Sequence, residues 1–389
     1  MHARTRTVDH LVIGGGPAGA MAAIKLAEAG RRVMLAEKEA GPHHKVCGEF
    51  LSREAVEYLR GIAIAPADLG AAPIQFVRLS SGSKMAEARL PFQALSLSRR
   101  VLDAALLARA VEMGCEVLRG AAVERLTARD EAWRAQINGE EVAARTIFLA
   151  NGKHDIRGWN RARGKQSDLI GFKLHWRLKP TQTRALGNFI ELFLFPGGYG
   201  GLSLVEHETA NLCLVVRRAK LRRMGGWGAV LTSVREGNWI LRERLQGAEA
   251  LYARPLAISP IPYGYLASHA YGVWRVGDQA AVIPSFTGDG MSIALHSAAL
   301  AARMYLAGRS ADEYTRTLCE QIRKPMRLAT RLSQAMVTAS GRMLAPAVLS
   351  LLPDTMCWIA AATRVPEGAL FARDGSATQS GITLFKAAQ

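Results

Sequence analysis

The chain contains no CxxC pair, and its five cysteines, Cys47, Cys115, Cys213, Cys319 and Cys357, lie far apart. An odd, scattered set excludes a disulfide framework and a zinc ribbon, so reduced thiols in a cytoplasmic protein are expected. Acidic residues are scarce: 33 Asp and Glu face 50 Lys and Arg, a net charge of +17. That surplus favours anionic ligands but carries no information on fold. Long apolar runs are missing too. The basic N-terminal stretch gives way to an apolar run that dissolves into Gly14-Gly15-Gly16-Pro17, so no signal peptide is read there. The most apolar late segment, 343–362, is interrupted by Pro346, Pro353 and Asp354, which argues against a membrane-spanning helix. A core helix pair is expected there, with a helix lying on a membrane or closing over an apolar pocket as the alternative. What remains is 389 residues, 49% hydrophobic and 21% charged, which excludes a disordered or fibrous chain and suggests two or three domains.

A strand over 10–13, a glycine turn, a helix over 18–29 and a strand over 32–36 make a βαβ opening. A second helix is expected over 95–113, where Leu102, Leu106 and Ala110 recur at helical spacing. Short strands over 116–118 and 146–150 follow. From Gly171 the pattern alternates, over 171–178, 189–195 and 211–216, with 197–201 as a glycine turn. That is an antiparallel-sheet signature. A basic helical tract over 217–244 carries eight Lys/Arg against Glu236 and Glu243, and a strand over 272–276 leads through Gly277-Asp278 to a helix over 290–306. The expected fold class is α/β. Residues 1–165 and 265–310 form a discontinuous Rossmann-type domain, residues 70–95 and 166–264 an inserted antiparallel-sheet substrate domain, and residues 311–389 a C-terminal helical segment.

Gly14-x-Gly16-x-x-Gly19 follows a strand and opens a helix. Gly14 permits the tight turn, Gly16 lets the backbone approach a pyrophosphate, and Gly19 lets helix and sheet pack closely. Pro17 and Ala18 begin a helix whose free N–H groups and dipole suit phosphates. Glu37 ends the next strand, 18 residues after Gly19, where a carboxylate can accept from ribose hydroxyls; Lys38 flanks it. An acid there argues against a 2′-phosphate. The distant Asp278 supplies an acid for a ribityl hydroxyl, and Gly288, Gly290 and Met291 open a second helix whose N–H groups suit a flavin ring. That second corner favours FAD over NAD.

Over residues 8–305 the chain resembles the FAD-dependent oxidoreductases of the geranylgeranyl reductase and p-hydroxybenzoate hydroxylase superfamily. The resemblance rests on GGGPAG with Glu37, on Lys45-Val46-Cys47-Gly48-Glu49, on Ser98-Arg99 with Leu102-Asp103, and on Gly277-Asp278 with the PSFTGDGM segment. It implies a glutathione-reductase-like FAD-binding domain. It also implies FAD contacts from Lys45, Cys47, Gly48, Arg99 and the backbone near Val123. The KVCGE segment looks most like the geranylgeranyl reductase branch, where a cysteine near the flavin is typical. Aromatic hydroxylases of the superfamily carry an Asp-Gly element tied to both FAD and NADPH. Here Asn151 stands in the acid's place, and NADH or NADPH enters only as a candidate reductant.

Cys47 is the candidate catalytic residue, able to line the site or donate a proton. Lys45 and Glu49 beside it read equally well as solvated loop charges. Adjacent His43 and His44 point apart and lack a third ligand, so no metal is expected. Alternation puts Phe172, Leu174 and Trp176 on one face, with Trp176 a candidate substrate wall, and leaves Lys173 and His175 on the other, with His175 expected at the surface. Tyr199, among glycines, is the other candidate substrate contact. Nothing beside the basic tract resembles a nucleic-acid motif; a solvated face, or a dock for an acidic membrane or carrier protein, is expected. The leading expectation is a monooxygenase hydroxylating a bulky apolar phenol, polyketide or isoprenoid through a flavin hydroperoxide. A reductase saturating C=C bonds of an isoprenoid-like substrate is the alternative, and a non-catalytic flavin-binding protein the third reading. A cytoplasmic location, with peripheral contact at the inner face of the membrane, goes with these.

Overall fold

The computed structural model describes residues 6–129, 132–351 and 354–370; the final part of the expected C-terminal segment, 371–389, lies outside the described residues. Two sheets organise the chain. In the first, Glu116–Arg119, Val33–Glu37, Arg6–Ile13 and Glu140–Leu149 run parallel in that order, and Trp274–Arg275 joins the far end of the last. Both faces are covered, which is why these strands read as apolar runs rather than as alternation. Val12, Leu35 and Phe148 face the helices Pro17–Glu28, Arg99–Glu112 and Gly290–Leu306. Leu11, Met34 and Ile147 face the antiparallel pair Val123–Arg129 and Ala132–Ile137. The parallel strands bring the Gly14 turn, Glu37 and Ala150 to one edge of the sheet.

The second sheet runs Glu249–Ala250, Leu169–Arg177, Ala210–Arg217, Gly198–Leu204, Phe189–Phe195, Ala72–Ser81, Lys84–Ser96, Phe50–Leu51, all antiparallel except where Phe189–Phe195 meets Ala72–Ser81. Its outer face packs Phe172, Leu174 and Trp176 against the helices Trp227–Gly237 and Trp239–Arg244. Its inner face looks towards the first sheet. The helix Ala311–Met336 then crosses both layers, and Ala339–Leu351 and Asp354–Ala362 lie on the strand Lys84–Ser96.

Several expected boundaries move for local reasons. The helix expected over 95–113 begins at Arg99, because Ser98 caps it by accepting the Val101 N–H at 3.3 Å while Leu95 and Ser96 still pair in a strand. The glycine turn expected over 197–201 shrinks to Pro196-Gly197, and Gly198–Leu204 is a strand. Its glycines are there for space: a Cβ at Gly198 or Gly200 would come within 2.4 or 2.3 Å of the Phe195 or Phe193 ring. The basic tract splits into Arg218–Met224, Trp227–Gly237 and Trp239–Arg244, broken at Gly225-Gly226 and at Asn238. The strand expected over 272–276 keeps only Trp274–Arg275.

Candidate functional site

Between the sheets lies a cavity of about 890 Å³. One end is polar and made by the glycine turn. Gly14 has φ of 105°, and a Cβ there would sit 2.5 Å from the Ala150 oxygen; one at Gly19 would sit 1.8 Å from the Gly14 oxygen. Helix, turn and strand therefore touch backbone to backbone. The helix Pro17–Glu28 has Gly16 as its N-cap and no side-chain cap, so its first turn, Gly16, Pro17 and Ala18, is left facing the cavity. Glu37 is buried at the end of its strand, its carboxylate accepting from the Gly15 N–H at 2.6 Å and the Glu39 N–H at 3.1 Å, and it also lines the cavity. Lys38 lines it beside Glu37.

Arg99 stands opposite the turn, its Nη2 3.2 Å from where a Gly16 Cβ would be. Burial opposes its charge, but the Asp103 carboxylate, forked onto it at 2.7 Å through two bonds, holds the guanidinium pKa raised. Lys45 reaches the same carboxylate at 3.2 Å. Val123 and Gly48 complete this part of the lining. Asp278 sits in the Gly277 turn and is held by Lys153 at 2.8 Å. Burial pushes its carboxyl up, yet Lys153, with Arg161 and Arg99, more than offsets that and leaves it below the ordinary range. Gly288, Gly290 and Met291 bring a second helix N-terminus to the cavity, also without a side-chain cap. Two helix dipoles and a carboxylate at either end fit a long dinucleotide with a central pyrophosphate.

The other end is apolar. Val77, Leu79, Ile190, Leu192, Ile258, Phe286, Leu332 and Met336 line it, and Ala345, Met356, Ile359 and Ala360 close it from the C-terminal helices. The described helices of the segment 343–362, with its ambiguous pattern, thus roof an apolar pocket. Tyr199 lines this chamber and its hydroxyl lies 3.3 Å from Ser333. Trp176 does not line it. Its side chain faces away from the cavity, in the core under Trp227–Gly237, because the strand alternates and its other face is the one turned inward.

Cys47 lines the cavity between the two ends, with the Glu49 N–H directed at its Sγ at 3.3 Å. Directly behind it is a buried polar network that the sequence concealed. Glu49, at φ of 60°, is fully buried and pairs with Lys173, itself fully buried. Its second oxygen meets His175 Nε2 at 2.9 Å, and His175 Nδ1 meets the Tyr252 hydroxyl at 2.7 Å. Glu49 also accepts the Arg99 N–H at 2.8 Å. Burial alone would raise the Glu49 carboxyl; the bond from His175 and the Lys173 charge more than offset it and hold it low. Glu49 is therefore no solvated loop charge and His175 no surface residue. The His44 ring leans edge-on to His175 at 4.7 Å, and burial, then the neighbouring His175 and Lys173, push its pKa down to about 4. His44, Glu49 and His175 offer ligand atoms within 4.8 Å of one another. The Lys173 ammonium already occupies the carboxylate, so this arrangement does not fit a cation.

Comparison with known proteins agrees with this geometry. Residues 7–151 match the family described as FAD binding domain. The chain is 28% identical over 306 residues to a digeranylgeranylglycerophospholipid reductase of Methanopyrus kandleri, covering 74% of either chain. It is 25% identical over 353 residues to a menaquinone reductase of Mycobacterium tuberculosis, covering 84% of this chain and 83% of that one. A flavoprotein/dehydrogenase from Cytophaga hutchinsonii superposes with a TM-score of 0.73 at 20% identity, over 92% of this chain and 97% of its own. Fold, cradle and relatives define an FAD-dependent oxidoreductase. Residues 7–151 carry an FAD-binding domain, and beyond it the chain is similar to reductases of this flavoprotein group. Among the described residues no helix is long and apolar enough to cross a membrane.

Proposed function

We propose that the protein saturates carbon–carbon double bonds of a bulky, isoprenoid-like substrate held in the apolar chamber. The observation that carries this reading is the continuity of that chamber with the FAD cradle, with Cys47 at the junction. Two relatives, one named digeranylgeranylglycerophospholipid reductase and one named menaquinone reductase, support it. In this reading Gly14, Gly16, Pro17, Ala18 and Gly19 cradle the pyrophosphate, and Glu37 and Lys38 hold the adenosine end. Arg99, Val123 and Asp278, with Lys45, Cys47, Gly48, Gly288, Gly290 and Met291, hold the riboflavin end. Bound FAD, reduced by NADH, NADPH or another donor, supplies a hydride equivalent.

The chain's own residues supply the rest. The apolar walls exclude water from the double bond, and the Cys47 Sγ holds the proton that completes saturation. That proton is taken up again from water between turnovers, and the Glu49–His175–Tyr252 array behind the loop positions the thiol through the Glu49 N–H. Hydroxylation is the competing reading, since the Tyr199 hydroxyl among apolar walls would also suit a phenol. The test is anaerobic incubation of the dithionite-reduced, FAD-loaded protein with a polyprenyl diphosphate, followed by mass spectrometry. Addition of two hydrogens per double bond is expected. A product formed only in air, heavier by one oxygen, would overturn the reductase reading.

A further inference from the structure

The helices that roof the chamber have two faces. Ala345 on Ala339–Leu351, and Met356, Ile359 and Ala360 on Asp354–Ala362, look into the cavity. A helix turns about 100° per residue, so Met343 lies across the axis from Ala345, and Trp358 across it from Met356 and Ala360. On that outer side Met343, Leu344 and Trp358 are 68%, 60% and 59% exposed. Met85, also exposed, belongs to the strand Lys84–Ser96 on which both helices pack. Single exposed hydrophobic residues are ordinary; three on the outer sides of two helices packed on one strand are not.

Cations border this surface. Arg342 immediately precedes Met343. Burial first, and then the nearby Arg223 and Arg342 guanidiniums, hold the Lys220 ammonium below its usual pKa, so the helix Arg218–Met224 lies beside this end of the roof. Arg217, Arg218, Arg222 and Arg223 are exposed there, on a chain of net charge +17.

We propose that the outer face of the roof docks on an anionic lipid bilayer, with Met343, Leu344 and Trp358 at headgroup depth and the neighbouring arginines on the phosphates. Charge complementarity favours this occupant. So does the position of the patch, since the reverse side of the same helices walls the apolar chamber. Docking does not depend on the reaction proposed above, because it is measured without turnover.

The test is flotation of the FAD-loaded protein with vesicles of phosphatidylglycerol and phosphatidylcholine, and with phosphatidylcholine alone, at low and high salt. Binding to the anionic vesicles should exceed binding to the neutral ones by roughly tenfold and fall as salt is raised. The combined variant Met343→Ser, Leu344→Ser and Trp358→Ser should weaken it by roughly tenfold. Arg222→Glu with Arg223→Glu should remove the preference for anionic lipid. Unchanged FAD absorbance and melting temperature show that these surface variants fold. The proposal is overturned if anionic vesicles are ignored, or if the apolar variant floats as well as the parent. It is also overturned if the patch instead mediates a dimer that the variant abolishes, or binds an acidic carrier protein while ignoring lipid.

Discussion

Glu49 and Lys173 form an ion pair with no solvent exposure on either side chain; Glu49, two residues beyond Cys47, belongs to the cavity wall and Lys173 lies behind it. A buried pair of this kind is weak support for stability, because desolvating two charges offsets most of their attraction. Its value is local: it fixes a carboxylate, an imidazole and a phenol behind the loop that carries Cys47.

Breaking the pair from one side should therefore be far worse than replacing it. Lys173→Met leaves the Glu49 charge buried with His175 and the Arg99 N–H to compensate, and a loss of about 3–5 kcal/mol is expected. Lys173→Met with Glu49→Gln should recover much of that. Because the folded Glu49 pKa lies below the ordinary glutamate value of 4.5, its contribution is present above that pH and lost as pH falls below it. Denaturant melts of parent and Glu49→Gln between neutral pH and pH 3 check this: the two curves should converge only on the acid side.

The glycine turn makes a steric prediction. Gly19→Ala places a methyl 1.8 Å from the Gly14 carbonyl oxygen, a distance no side-chain adjustment relieves. The helix must move off the sheet, taking its free N–H groups from the pyrophosphate. The purified variant should be colourless and should not take up added FAD, whereas a loss of colour shared by Gly41→Ala, at an open position, would sink the argument.

Cys47→Ser should separate cofactor from chemistry. The residue is one of many contacts at the riboflavin end and lies outside the glycine cradle, and serine keeps its size, so retained FAD and a fall in turnover of about 100-fold or more are expected. His175→Asn should act differently. It leaves the thiol in place but removes the partner of Glu49 and Tyr252 behind its loop, so a fall in turnover smaller than that of Cys47→Ser is expected, with FAD still bound. A loss as large as that of Cys47→Ser would show that His175 itself acts on the substrate.

Much of the cofactor site was legible because it is local. Gly14, Gly16 and Gly19 lie within one turn of chain, and the strand that delivers Glu37 is fixed by the βαβ connection. The face carrying Lys173 and His175 was legible as a face, but its direction was not. Period-2 alternation distinguishes two sides without saying which meets the cavity, and aromatic Trp176 was the natural but mistaken choice for the substrate wall. Trp176→Ala should accordingly cost about 3–5 kcal/mol in stability while leaving the substrate KM unchanged. The Glu49 network joins residues 49, 173, 175 and 252 through tertiary folding alone, and no spacing in the sequence marks it.

The roof is tied to the flavin side by a second buried charge cluster, and this one titrates near neutrality. Arg364, at the end of the roof, lies 3.2 Å from Glu54 and 3.4 Å from Asp289, and the Val365 N–H donates to Asp289 at 3.1 Å. One guanidinium facing two buried carboxylates cannot neutralise both. Burial pushes Asp289 up, Arg364 pulls it back in part, Glu54 adds to the rise, and its pKa stands at about 6. A folded pKa above the unfolded value of 3.8 means that the folded state holds this proton more tightly. The stability it confers is complete below that value and is lost as pH rises through about 6. The rise from 3.8 to about 6 corresponds to about 3 kcal/mol. The difference in unfolding free energy between parent and Asp289→Asn should therefore change by about that amount between pH 4 and pH 7.5, with the variant gaining at the higher pH. A difference that stays flat across this interval would mean that Arg364 neutralises both carboxylates after all.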